Sequence, residues 1–270
     1  MAVPTRNFRR SLLRLSTALG AVVLASLGVT GLAQAAGTVY AALGDSYSSG
    51  VGSGSYGSSG SCYRSSKAYP QLWANAHSGT SLTFLACSGA KTGDVINQAN
   101  SIPASATLVT VTVGGNDAGF SDVMTTCTLG SDSDCVNRVN TAKTYVNNTL
   151  PPLLTNTYNA IKAKAPGARL VVLSYPRFYT VPGSCWVGLS DTKRTAINSG
   201  ADALAAVTQQ RAAAAGATFV DVRPSFAGHN ICSSADDYLH SLTWPVIESY
   251  HPTAAGQSGG YFAPLRAAIG

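Results

Sequence analysis

Thr38-Val39-Tyr40-Ala41-Ala42-Leu43-Gly44-Asp45-Ser46-Tyr47-Ser48-Ser49-Gly50 is the stretch on which the reading of this chain turns. Residues 38–43 form a short, almost continuously apolar run, the pattern of a strand covered on both faces. Gly44 ends it, Asp45 and Ser46 follow at once, and a Gly/Ser-rich segment runs on to residue 61. A tight turn at a strand's carboxyl end sets a serine hydroxyl proud of the sheet, with only small residues behind it. Serine is a weak nucleophile. It needs a base, a group that orients the base, and donors for a developing oxyanion. The rest of the chain is read for those parts.

Four further runs repeat the strand pattern: 81–86, 107–113, 168–174 and 218–222. Helical patterns fall between them at 68–77, at 134–165 with a break or bend forced by Pro151-Pro152, and at 192–215 with Asp191 as N-cap and Gly216 as terminator. A last helix is expected over 253–269, weakened in its middle by Gly259-Gly260. Alternating β and α units predict a three-layer α/β/α fold with a five-stranded parallel sheet in flavodoxin-like order 2-1-3-4-5. Ligand sites in such sheets lie outside the carboxyl ends of the strands. The segment 48–61 reads as a mobile loop beside such a site.

Residues 1–36 stand apart. Arg6, Arg9, Arg10 and Arg14 make a basic start without an acid, an apolar stretch runs from about Ala18 to Leu32, and Ala33-Gln34-Ala35 is an A-x-A type cleavage site. This is the pattern of a secretory signal peptide, with Arg9-Arg10 leaving both general and twin-arginine export open. Residues 37–270 then form a single domain, and the protein is expected to be secreted. Without the signal, fourteen Lys and Arg face twelve Asp and Glu, so the net charge falls from +6 to near +2. No basic cluster with interleaved aromatics remains, which excludes a nucleic-acid partner. All six cysteines lie beyond residue 36, and an even count in an exported chain implies disulfides. Neighbours in sequence are the expected partners: Cys62–Cys87, Cys127–Cys135 and Cys185–Cys232. No C-x-x-C or close Cys/His pair suggests a metal.

The base should be a histidine. His251 lies in Glu248-Ser249-Tyr250-His251-Pro252-Thr253, where Pro252 fixes the chain direction and Thr253 can cap the last helix. His77, at a helix end, reads as structural. His229 and His240 read as local hydrogen-bonding residues in an irregular segment. Two readings of the orienting group stand open: the carboxylate of Glu248, the only glutamate in the chain, or a main-chain carbonyl of Glu248 or Ser249. Oxyanion donors are available from the Ser46 N–H, the Gly89 N–H after the second strand, and Asn116 in Gly114-Gly115-Asn116-Asp117 after the third. Asp45 and Asp117 are expected to bond backbone groups in their own turns. Two motifs mislead. Residues 52–57 fit G-x-G-x-x-G, but no acid lies between Asp45 and Asp94 to meet a ribose. Residues 256–260 fit G-x-S-x-G, but no histidine follows.

Gly44-Asp45-Ser46, Gly89, Gly115-Asn116-Asp117 and His251-Pro252 resemble, in order, the four blocks of the SGNH or GDSL hydrolases. The runs ALGDSYSSGVGSGSY, ACSGAKTGDV, VGGNDAGF, YPRFY and SYHPTAAGQ are similar to the secreted GDSL lipases and phospholipases A1 of Streptomyces. The resemblance implies Ser46 as nucleophile, His251 as base, and Ser46, Gly89 and Asn116 as oxyanion donors. It also implies three disulfides and no cofactor. The wider family carries Asp where this chain has Glu248, and the resemblance implies the Ser249 carbonyl as the stand-in. The function it implies is carboxylic-ester hydrolysis, with triacylglycerol lipase ahead of phospholipase A1. A carbohydrate acetyl esterase and a non-enzymatic binding protein are the alternatives. Tyr47, Tyr56, Tyr175, Phe178, Tyr179 and Trp186 are candidate walls of an acyl groove. A monomer in transient contact with lipid is expected.

Overall fold

Five strands form where the apolar runs lie: β1 Val39–Gly44, β2 Ser81–Phe84, β3 Leu108–Thr112, β4 Arg169–Leu173 and β5 Thr218–Val220. In the computed structural model all neighbouring pairs are parallel, and their order is β2-β1-β3-β4-β5, as expected. The structure describes residues 1–4, 37–183 and 189–270. The predicted signal falls almost wholly outside the described residues, as do Cys185 and Trp186. The sheet belongs to a compact unit spanning Ala36–Gly270.

Nine α-helices are described: α1 Ser46–Ser49, α2 Tyr69–Ala76, α3 Thr92–Ala99, α4 Phe120–Leu129, α5 Asp132–Asn148, α6 Leu150–Lys164, α7 Asp191–Ala214, α8 Arg223–Phe226 and α9 Ala263–Ile269. The chain steps one way from β1 to β2, then reverses for β3, β4 and β5. Right-handed crossovers therefore place α2 on one face and α3, α6 and α7 on the other. The packing agrees. α3 meets α6, α6 meets α7, and α5 bridges α7 and α4, whereas α2, α8 and α9 gather around a π-helical turn, Gly256–Phe262. The reversal falls between β1 and β3, which is where the serine strand and the Asn116 strand lie side by side.

Several helix expectations need correction. The long 134–165 helix is two, and the break comes at Thr149, before the prolines. Pro151 and Pro152 occupy the first turn of α6, where a missing N–H costs nothing. The cap of α7 is Ser190, which accepts from the Lys193 N–H at 3.2 Å; Asp191 is the first helical residue instead. The last helix, expected over 253–269, is regular only as α9, and Gly259-Gly260 lie in the π-helical turn Gly256–Phe262 ahead of it. A Cβ at Gly260 would lie 2.3 Å from the Phe226 ring, so the glycine admits the close approach of α8.

Two of the expected disulfides are present, Cys62–Cys87 and Cys127–Cys135. The first clips the Gly/Ser-rich loop to the turn after β2, and the second joins α4 to α5. Cys232 is disulfide-bonded; its expected partner Cys185 lies outside the described residues. The Gly/Ser-rich loop is not left loose. Ser53 Oγ donates to the Gly50 carbonyl at 2.6 Å, Gly57 N–H to Arg64 at 3.0 Å, and Gly52 N–H to the Tyr56 hydroxyl at 2.9 Å.

Candidate active site

Ser46 opens α1 directly beyond β1. Gly44 sits at φ +123°, and a Cβ there would lie 2.5 Å from the Thr112 carbonyl of β3, so only glycine fits the turn. The Gln98 side chain of α3 holds both of its backbone groups, accepting from Gly44 N–H at 2.8 Å and donating to Gly44 O at 2.9 Å. Asp45 is the N-cap of α1. Its Oδ1 accepts from Tyr47 N–H at 3.0 Å and from the Thr112 hydroxyl at 2.7 Å, and its Oδ2 accepts from the Tyr175 hydroxyl. Burial pushes the Asp45 carboxyl up to about 6 in spite of those three donors.

The imidazole arrives from the other end of the chain. His251 Nε2 lies 2.8 Å from Ser46 Oγ, and Nδ1 lies 3.0 Å from the Ser249 carbonyl. A carbonyl can only accept, so Nδ1 carries the proton and Nε2 is the face that can take one from serine. Glu248 does not reach the ring; its carboxylate accepts from the Tyr56 hydroxyl at 2.6 Å. The main-chain alternative is therefore the one the geometry contains. Burial is the larger influence on His251 and lowers it to about 4, against a smaller upward pull from the Ser249 carbonyl. Tyr250, just before it, holds φ +64°, a conformation uncommon for a bulky residue. Its N–H donates to the His240 carbonyl at 3.1 Å, and its own carbonyl accepts from the Tyr47 hydroxyl at 2.7 Å. The left-handed turn is thus clamped from two sides, and one clamp comes from the residue after Ser46.

Of the other histidines, His240 Nε2 bonds the Gly52 carbonyl at 2.7 Å, His229 Nδ1 bonds the Asp236 carbonyl at 2.9 Å, and His77 Nδ1 bonds the Trp73 carbonyl at 2.7 Å. The His229 and His77 bonds are local, as expected; the His240 bond is not, because it ties the segment before His251 to Gly52 in the loop after Ser46, 188 residues away.

The loops that carry Gly89 and Asn116 follow β2 and β3, the two strands that flank β1. Asn116 lines the same cavity as Ser46, and one of its amide N–H groups donates to the Ala90 carbonyl at 3.0 Å, which fixes the amide plane. Gly89 stands at φ +80° in the turn after Cys87, and that turn docks on β1 through Cys87 N–H to Gly44 O at 2.9 Å. Asp117 corrects its expectation. It bonds not its own turn but Thr92 at the start of α3, through the hydroxyl at 2.6 Å and the N–H at 3.1 Å, tying the Asn116 loop to the Gly89 loop. Among the described residues no three His, Cys, Asp or Glu side chains come together as a metal site would require.

Beyond Ser46 and Asn116 an apolar cavity runs between α4, α5 and α7. Phe120, Met124, Val139, Val146, Ile197 and Leu204 wall it, with Ala142, Gly200 and Ala201 keeping it open and Lys143 as its only cation. Tyr47, Tyr175 and Phe178 also face it, as expected, whereas Tyr56 is engaged with Glu248 and Tyr179 faces a different cleft. The helix walls escaped the sequence reading, because α4 carries no clear period and α5 and α7 read as ordinary core-facing helices.

Two further groups were missed. Gln257, wholly buried, accepts from Tyr69 N–H at 2.9 Å and donates to the Tyr47 carbonyl at 3.0 Å, so the histidine end of the chain is pinned to α1 and α2. A buried hydroxyl chain also runs from Asp45 through Thr112, Ser48, Tyr69 and Thr110 to Tyr40. The signal for it was the alternation of Thr110 and Thr112 in an otherwise apolar strand, which places both on one face.

A serine–imidazole pair on the carboxyl edge of a parallel three-layer sheet, with amide donors from adjoining loops, is the frame of a serine hydrolase. The chain belongs to the GDSL-like lipase/acylhydrolase family, whose model matches residues 42–258. It is 54% identical over 254 residues to Lipase 1 of Streptomyces coelicolor, covering 93% of this chain and 94% of that one. A lipase of Streptomyces rimosus is 56% identical over 233 residues, 86% of this chain and 87% of the relative. The crystal structure of that extracellular lipase matches with a TM-score of 0.84 over 86% of this chain and its own whole length. Phospholipase A1 of Streptomyces albidoflavus, at 54% identity, matches with a TM-score of 0.83 over 87% of this chain and 100% of its own.

Proposed function

We propose that the protein is an exported ester hydrolase that cleaves acyl esters of lipids through an acyl-Ser46 intermediate. The observation that carries this is the 2.8 Å contact between Ser46 Oγ and His251 Nε2 at the mouth of an apolar cavity. Nε2 takes the Ser46 proton as Oγ attacks the ester carbonyl. The resulting oxyanion is met by the Ser46 and Gly89 N–H groups and the Asn116 amide. The imidazolium, held by the Ser249 carbonyl, returns its proton to the departing alcohol. Water then repeats the sequence and releases the acid. With burial holding His251 down near 4, the ring is neutral at pH 7 and ready to accept. The chemistry needs no group from a second chain, and the protein is taken to act as a monomer.

The apolar lining favours a hydrocarbon acyl chain over an acetylated sugar. Triacylglycerol is the first substrate class, in line with the relatives named as lipases. The similarity to a phospholipase A1 makes phospholipid the second reading. Residues 1–36 act as the export signal, a reading supported by the disulfides and by the extracellular S. rimosus relative. Release of p-nitrophenol from p-nitrophenyl esters tests the mechanism. Ser46→Ala should abolish turnover and Asn116→Ala should cost about 10²–10³ in kcat, whereas retained turnover in Ser46→Ala would overturn the assignment. Rates on tributyrin, a long-chain triglyceride and phosphatidylcholine separate the two substrate classes.

A further inference from the structure

The large apolar side chains that the sheet unit leaves in solvent are concentrated in one place. Leu129 is 81% exposed and Trp244 86%, and Leu242, Val246 and Ile247 lie between 41% and 58%. Leu129, Leu242, Val246 and Ile247 line a single cleft that ends on Tyr250 and His251, and Trp244 sits in the same loop between two of them. Elsewhere among residues 37–183 and 189–270, Val181 is the one other large apolar residue so exposed. Scattered exposed hydrophobics are ordinary, whereas a contiguous group rimming a cleft marks an interaction surface. The loop also holds its shape. Ser249 Oγ accepts from Thr243 N–H at 3.0 Å and donates to the Thr243 carbonyl at 3.2 Å, and Glu248 N–H donates to Pro245 O at 2.9 Å. The apolar side chains are presented to water by a braced turn, an arrangement that folding alone does not favour.

We infer that this rim docks on an uncharged lipid surface, neutral or zwitterionic, and so sets the His251 cleft against the aggregate that supplies the ester. The inference rests on the ester-hydrolase reading above. Two observations choose the occupant. The cleft is continuous with the catalytic histidine, so whatever lies on the rim lies beside the reacting atoms. The cleft lining has no Lys, Arg, Asp or Glu, and the one ionic group in the loop 241–250 is Glu248. An anionic membrane is recruited by clustered cations, and here there are none. Trp and aliphatic side chains without such a cluster partition into the interface by their apolar area instead.

The test uses residues 37–270 carrying Ser46→Ala, so that lipid is bound but not consumed. That stretch holds every described strand and helix, and 86% of this chain accounts for the whole crystallised S. rimosus relative. Co-sedimentation with phosphatidylcholine vesicles should show binding, accompanied by a blue shift of tryptophan emission. Phosphatidylserine added to the vesicles should not strengthen it. The double substitution Leu129→Ser with Trp244→Ser should lower partition by about tenfold or more. In the active protein the same pair should leave kcat/KM on soluble p-nitrophenyl acetate within about twofold, as exposed substitutions do, while turnover of an emulsified long-chain ester falls with the partition. Absent or unchanged partition, binding only to anionic vesicles, or an equal loss on the soluble ester would overturn the docking surface. Vesicle binding without any ester turnover in the Ser46 protein would instead overturn the hydrolase reading and leave the surface standing.

Discussion

The Tyr56 hydroxyl donates to the Glu248 carboxylate at 2.6 Å while accepting from the Gly52 N–H at 2.9 Å. Through this pair the loop after Ser46 is fastened to the loop before His251. The glutamate thereby braces a loop and leaves the ring to the Ser249 carbonyl. Glu248→Gln keeps an acceptor for Tyr56 and should change kcat on a soluble ester by less than about tenfold. A carboxylate that held the imidazole tautomer would cost about 10⁴ when made an amide, so a fall of that size would place Glu248 in the catalytic relay.

The two perturbed groups of the site give opposite pH signatures. His251 titrates near 4 in the native state against an ordinary 6.5, so the unfolded chain binds its proton first as pH falls. Its contribution to stability is complete above 6.5 and declines toward pH 4. Asp45 titrates near 6 against an ordinary 3.8, so the native state binds the proton first; its contribution is complete below 3.8 and is lost as pH rises through 6. Between pH 4 and 6 the two slopes offset each other. Asp45→Asn removes one of them, and its thermal midpoint should then climb more steeply from pH 4.5 to 6.5 than that of the parent. Equal slopes in the two proteins would show that Asp45 is an ordinary carboxylate. The acid limb of kcat/KM on a soluble ester, which reports the free base, should fall below pH 5 rather than near 6.5.

Gln257 is the sole bridge from the π-helical turn to both the Tyr47 carbonyl and the Tyr69 N–H, and that N–H opens α2 with no earlier helical carbonyl to meet. Gln257→Leu matches it in bulk but leaves two buried polar groups unpaired. The expected cost is about 2–4 kcal/mol in urea unfolding. A loss under about 1 kcal/mol would mean that water replaces the amide.

What the sequence made legible follows from the range of each interaction. β1 and β3 are strand-like runs, apolar apart from the threonines of β3, and each leads into a glycine, so the strands, their order, and the placement of Ser46 and Asn116 at one edge could be read from local pattern alone. His251 was legible because Pro252 and Thr253 announce a loop before a helix. Gln98 and Gln257 were not, since a glutamine that closes a backbone gap looks the same in sequence as one in solvent. α1 escaped because four residues carry no period. The apolar cavity escaped because it is a property of three helices meeting, and small residues such as Ala142 and Gly200 declare nothing until the opposite wall is known.

Gly200 is where that cavity can be measured. It lies in the middle of α7, where glycine costs about 1 kcal/mol relative to alanine, and a Cβ there would approach Val139 of α5 at 3.5 Å, an ordinary contact. Steric need does not keep the residue small, but the open space between the two helices does. Gly200→Ala should raise stability by about 0.5–1 kcal/mol with little change in chain-length preference. Gly200→Leu should extend a side chain into the cavity and obstruct the far carbons of a long acyl group while leaving Ser46 and His251 untouched. Turnover of p-nitrophenyl acetate should persist in that variant, and turnover of p-nitrophenyl palmitate should fall by about tenfold or more, the scale of a few lost methylene contacts at about 0.8 kcal/mol each. If both esters decline together, or neither does, the acyl chain follows another path and the space between α5 and α7 is a packing defect.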